Sequence, residues 1–189
     1  MKYYRLSEDM EILNKWYLGE INDSLYIEQW GFTMLSYYSI DKEMSVPIEI
    51  HGIKTDFTEN LVYGVPILSL KAKDALQHYD IIFSAVNILD NGKFFSTYYA
   101  IGVDIIDAID EERSKYIKYK KNDPVRPDRE GDYKSFDKIV LNSSKIDGKH
   151  IFRIKGYSIY LVISEELKLK IESAGLTGFY FEELCVYTD

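Results

Sequence analysis

Apolar and polar positions alternate with a period of two through much of the chain, and that alternation predicts strands. Lys2 to Leu6 is a short first strand ended by Ser-Glu-Asp. Val46-Pro-Ile-Glu-Ile-His-Gly-Ile53 alternates around Ile48, Ile50 and Gly52, with Pro47 placing the start of its strand at a sheet edge. Ile81 to Leu89 is an apolar run that predicts a buried strand, and Phe94 to Val103 is its returning partner. Between them, Asp90-Asn-Gly92 predicts a two-residue hairpin turn, because Asn-Gly adopts the positive φ angles such turns demand. Further strands follow over Phe136–Leu141, His150–Ile154, Ser158–Ile163 and Phe179–Val186. Lys115 to Lys121 sets Tyr116, Ile117 and Tyr119 among four lysines, the pattern of an exposed strand or ribbon.

The helical period is rarer. Ser69 caps a short helix over the following residues to Gln77, with Leu70 and Ala72 or Leu76 facing inward. Ser164 caps a second, in which Leu167, Ile171 and Ala174 share a face, and Gly175 stands where a left-handed residue ends it. Met10 to Tyr17 has the apolar spacing of one or two helical turns, interrupted by Gly19 and Asn22-Asp23. Leu25–Trp30 and Phe32–Ile40 are aromatic and ambiguous in period. Asp56–Leu68 is loop with one extended segment, and Asp104–Glu112 suits a helical turn or a strand end. Asn122–Gly131, with two prolines and a closing glycine, is the clearest loop. Strands outnumber helices without a βαβ alternation, so the expected fold is α+β: one domain, with a largely antiparallel sheet covered by one or two short helices.

Composition narrows the class. The 189 residues are 46% hydrophobic, enough for a folded core, and 17 of the aromatics are Tyr, which suits half-buried strands and wet interfaces. A net charge of −8 argues against nucleic acid and is compatible with a basic protein partner. One cysteine, Cys185, excludes an intramolecular disulfide, and its aromatic strand predicts a small buried residue. The N-terminus lacks the apolar core of a signal peptide and no run approaches membrane-spanning length, so a cytoplasmic protein without a membrane partner is expected.

No phosphate-binding glycine motif is present, and Gly175-Leu-Thr-Gly178 follows a helix instead of opening one. His51, His78 and His150 lie far apart in sequence without a second ligand at metal spacing, although His51 and His150 sit in or beside strands that could bring them together. No cofactor or metal is expected. The densest carboxylate cluster is Asp104, Asp107, Asp110, Glu111 and Glu112. It fits a solvated rim, a patch for a basic partner, or paired acids for catalysis or a divalent ion. Tyr116, Tyr119, Arg126 and Arg129 flank it and complete the candidate partner-binding set.

The stretch Ile171-Glu-Ser-Ala-Gly-Leu-Thr-Gly-Phe179 with Phe181-Glu182 resembles a bacterial family of immunity proteins that accompany polymorphic toxins. Similar pieces precede it in the same order. They are Val65-Pro-Ile-Leu-Ser-Leu before Ala75-Leu76, Tyr98-Tyr-Ala-Ile-Gly-Val before Asp107-Ala-Ile-Asp-Glu-Glu-Arg-Ser114, and Ile151-Phe-Arg-Ile before Ile159-Tyr-Leu-Val-Ile-Ser. The resemblance covers residues 60–185, leaving 1–60 as a variable part of the same domain. It implies a protein that binds and blocks a cognate toxin, with no cofactor and no catalytic residues. The alternatives are a small hydrolase or metal-dependent enzyme built on Asp104–Glu112, and a small-ligand-sensing domain.

Overall fold

A computed structural model describes residues 1–23, 44–62 and 64–188. The ambiguous segments 25–30 and 32–40 lie outside the described residues. The alternating segments assemble into two sheets. The first is built around the N-terminal strand β1 (Tyr3–Glu8), which pairs antiparallel with β14 (Tyr157–Ser164) on one side and β15 (Phe179–Tyr187) on the other. Outside β14 lie β13 (Ile151–Ile154) and β9 (Ile105–Ile106), and outside β15 lies β12 (Val140–Asn142). The second sheet runs β2 (Tyr17–Leu18), β4 (Met44–Ile50), β7 (Ile82–Asp90), β8 (Lys93–Gly102), β6 (Pro66–Leu68) and β5 (Phe57–Glu59), with β3 (Asn22–Asp23) also on β4. A separate ribbon joins β10 (Lys115–Lys118) to β11 (Tyr133–Lys138).

Strand-rich α+β content is as expected, but the single, largely antiparallel sheet is not. There are two larger sheets, and both are mixed: β4 with β7, β13 with β9 and β12 with β15 run parallel. Alternation marks a strand without giving its direction, which depends on connections such as the one from β4 to β7 that carries β5, β6 and α1 (Leu70–Leu76).

Period two divides the strands of the first sheet between two cores. Tyr4 and Leu6 of β1, Leu161 and Ile163 of β14 and Ile151 of β13 face a core shared with Phe57, Leu68, Ile101 and Val103 of the second sheet. Two helices contribute to that shared core, α1 through Ala72 and Leu76 and α3 (Glu165–Ser173) through Leu167 and Ile171. Each Leu, Ile, Val or Phe among them, removed from water, contributes about 1.5–3 kcal/mol. Tyr3, Val162, Phe152 and Ile154 face the other way, onto Ile109, Leu141, Ile146 (on the short helix α2, Ser143–Ile146) and Tyr133. A third core holds Trp16, Leu18, Val46, Ile67, Val86 and Ile88 in the second sheet.

Both caps form as predicted: Ser69 Oγ accepts from Ala72 N at 3.1 Å and Ser164 Oγ from Leu167 N at 3.2 Å. Leu70, expected inward, is 52% exposed, because it lies two residues from Ala72 and so about 200° around the helix. The Asn91-Gly92 turn has φ of +49° and +76° and closes Asp90 on Lys93. The β7 run is buried on one face only, through Val86, Ile88 and Ser84, while Ala85 is exposed. Asp56–Leu68 holds two extended segments, β5 and β6, which pair with each other.

Two further expectations are corrected. Met10–Tyr17 forms turns and no helix: Asn14 takes φ +55°, Ile53 N donates to its carbonyl, and Lys15 bridges to Ile53. Pro47 sits inside the second sheet, not at its edge, between β7 and the short β2 and β3. Its carbonyl accepts from Gly19 N, so its missing N–H falls opposite the gap between those two short strands, where no ladder bond is lost.

Candidate partner-binding surface

The ribbon β10–β11 grows out of its own alternation. Lys115 and Ile117 face solvent, while Tyr116, Tyr133 and Phe136 turn toward the sheet, with the Tyr116 and Tyr133 rings edge-on at 5.1 Å between centroids. Glu111 locks the ribbon's base. Its carboxylate accepts from Lys118 Nζ at 2.6 Å, from Tyr133 OH at 2.6 Å and from Tyr116 OH at 3.2 Å. The Lys118 ammonium, then the Tyr133 hydroxyl, hold its carboxyl down to about 2. Tyr133 keeps its proton well above the usual phenol range, through burial first and the Glu111 bond second.

Beyond the ribbon, loop 122–131 is braced by charge. Asp123 accepts from Val125 N and Arg126 N, both at 3.0 Å, and these two N–H groups lead in lowering its carboxyl. Arg126 pairs with Asp128 at 2.7 Å, and Arg129 pairs with Asp132 at 3.0 Å beneath the Tyr119 ring. Val125 stands 76% exposed. The surface is thus an aromatic and cationic ribbon whose charges are mostly matched within it, with apolar Ile117 and Val125 left facing solvent.

The structure brings Glu111, Tyr116, Tyr119 and Arg129 onto this ribbon and the adjoining loop, with Arg126 beside them. The other acids are engaged separately. Asp110 is 5% exposed, caps Arg113 N at 3.0 Å and holds its guanidinium at 3.0 Å, which in turn covers the Tyr187 ring. Asp104 pairs with Lys149 at 2.5 Å and Asp107 with Lys145 at 3.5 Å. Glu112, with its side chain 92% exposed, projects into solvent. Sequence reasoning missed Tyr133 and Lys118, which sit opposite one another in the ribbon. Their signal is the alternation on both sides of the loop, legible only once those segments are paired.

The histidines group differently from the expectation. His78 and His150 line a groove of about 480 Å³ with Tyr79, Asp80, Glu166 and Lys170, whereas His51 stands 3.4 Å from Asp90. His150 Nδ1 lies 2.9 Å from Ser164 Oγ, but that hydroxyl is buried and caps α3, so it is not placed as a nucleophile. Among the described residues no group of three His, Cys, Asp or Glu is arranged to hold a metal. Cys185, expected buried, is exposed on β15, because its neighbours Leu184 and Val186 take the inward positions of the strand.

A second charged group, unseen in the sequence, ties the two sheets together. Lys15 Nζ pairs with Glu8 at 2.7 Å with both side chains nearly enclosed, and Thr58 Oγ1 donates to Glu8 at 2.6 Å. Neighbouring Glu59 is pushed up to about 7 by burial first and by the Glu8 charge second, against the pull of Arg153, Arg5 and Lys15. Among the described residues no helix is long and apolar enough to cross a membrane. A model of the immunity protein family Imm11 matches residues 7–185. No curated protein matches the chain.

Proposed function

Because the chain belongs to the immunity protein family Imm11, we propose that it binds a cognate bacterial toxin domain and occludes that toxin's active site or exit route, without catalysing a reaction. The observation that carries this reading is the family match over residues 7–185. It takes residues 1–189 as one domain acting in the cytoplasm, where it protects its own cell. The contact surface is the ribbon with loop 122–131: Tyr116, Tyr119, Arg126 and Arg129, the acids Glu111 and Glu112, and Asp104, Asp107 and Asp110 beyond them. Exposed Ile117 and Val125 supply apolar contact, and Tyr119 offers a ring whose ordering costs little entropy.

The hydrolase reading needs the carboxylates of Asp104–Glu112 to converge with a histidine in one pocket. Asp110 and Glu111 are instead occupied by Arg113 and by Lys118 with Tyr133, and the histidine groove draws on Asp80 and Glu166. That distribution favours binding.

The test is co-expression and co-purification with the toxin domain encoded beside this chain. A stable complex and rescue of cells from that toxin are expected. Val125→Asp combined with Tyr119→Ala is expected to weaken the complex about tenfold or more without changing the melting temperature. Absence of both the complex and the rescue would overturn the proposal.

A further inference from the structure

The ribbon carries a charge opposite to that of the molecule. Residues 115–138 hold eight Lys or Arg against five Asp or Glu, so the rest of the chain is more acidic than the net −8 of the whole. Four of the eight cations are engaged locally: Lys118 by Glu111, Arg126 by Asp128, Arg129 by Asp132 and Lys134 by Asp123. The other four, Lys115, Lys120, Lys121 and Lys138, are exposed. Lys115 and Lys138 stand directly opposite one another across the two strands. Like charges in that register work against strand pairing, so the ribbon bears a cost that nothing in its own packing requires. The exposed acids Glu130 and Asp137 offset part of the charge and leave the ribbon and its loop net positive. Ile117, also exposed, lies two residues along β10 from Lys115 and so on the same side.

We infer that this outer face of the ribbon receives an acidic patch of the toxin, with a carboxylate seated between Lys115 and Lys138 and an apolar side chain against Ile117. The inference rests on the toxin-binding reading above and names the chemistry of the surface it meets. A carboxylate at that place replaces the repulsion between two lysines with two attractions. Because these groups are exposed, the effect falls mainly on the rate of association and on the choice of partner. The acidic remainder of the chain repels the same patch, which restricts docking to the ribbon. A nucleic acid fits this face less well. The acidic remainder repels its phosphates, and Tyr116 and Tyr133, the rings on which bases would stack, are turned toward the sheet.

Association kinetics of the full chain with the adjacent toxin domain, at low and at physiological salt, test it. Lys115→Glu and Lys138→Glu each set a Glu opposite the remaining Lys, so both variants are expected to melt at or above the parent. Each is expected to slow association about tenfold at low salt, by an amount that shrinks as salt rises. Lys93→Glu makes the same change of charge at the tip of the β7–β8 hairpin in the second sheet, and is expected to slow it less than about twofold. Folded ribbon variants that associate as fast as the parent, or that slow no more than Lys93→Glu, overturn the acidic-patch inference alone. So does a free chain that pairs with a second copy, or retains nucleic acid, through a contact that Lys115→Glu abolishes. Absence of any complex with the toxin overturns the toxin-binding reading and this inference with it.

Discussion

Gly175 and Gly178 share a turn and a positive φ, yet they are constrained for different reasons. Gly175, at φ +58°, would carry a Cβ into open space, so a side chain there meets only the backbone preference. Gly178, at φ +90°, would place a Cβ 2.3 Å from the Phe57 carbonyl oxygen, at the point where Thr177 O accepts from Phe57 N and joins the two sheets. Gly175→Val should cost about 1–2 kcal/mol. Gly178→Val should cost about 3–5 kcal/mol, because the close backbone approach must also open. Urea denaturation of the two variants measures the difference, and equal midpoints would show the contact at Gly178 to be yielding. That both positions turn the chain was legible in the spacing of the glycines after a helix. That only one of them lies against another strand was not, since Phe57 is remote in sequence.

At the scale of elements, α3 is held from both ends of its first turn. Ser164 Oγ accepts the Leu167 N–H and lies 2.9 Å from His150 Nδ1, while Leu167 and Ile171 fill the core between the sheets. Ser164→Ala should destabilise the protein by about 1–2 kcal/mol, with Ser164→Thr recovering most of it, because the cap needs a hydroxyl acceptor and the site is buried. Thermal melting of the series checks this, and an Ala variant melting with the parent would remove the cap from the account. The start of this helix, its apolar face and its stop all act within a few residues of each other, and all were readable from Ser164 to Gly175. Met10–Tyr17 had a similar spacing and no such cap, and there the tertiary pairing of Lys15 with Ile53 prevailed over the local period.

For the whole molecule, Glu59, beside the enclosed Glu8–Lys15 pair, makes stability depend on pH. Glu59 is pushed up to about 7 from an ordinary 4.5, so the folded protein holds that proton more tightly than the unfolded chain does. Its contribution is therefore fully present below about 4.5 and is lost as pH rises through about 7. Across that window the Glu59 part of the slope approaches about 1.4 kcal/mol per pH unit. Glu59→Gln should remove it, leaving the variant more stable than the parent by about 2–3 kcal/mol at pH 8 and nearly equal at pH 4. Denaturant midpoints of both proteins across pH 4–8 measure the difference, and parallel curves would refute it.

Within the chain, the sequence by itself determined the strand-rich α+β content, both serine caps, the Asn-Gly hairpin, the position of the proline loop and the family. Each of these rests on interactions spanning a few residues, or on an ordered series of such local pieces. The tertiary structure alone decided that there are two mixed sheets, that Pro47 is internal, that Cys185 faces solvent and that His78 meets His150 in place of His51. It also decided how the acids are engaged: Asp110 and Glu111 are spent on Arg113, Lys118 and Tyr133, while Glu112 stays exposed at 4.0 Å from Arg113. Such outcomes depend on which strands become neighbours. Tyr3 opposite Leu184 and Arg5 opposite Glu182 are pairings between the two ends of the chain, and no local pattern specifies them.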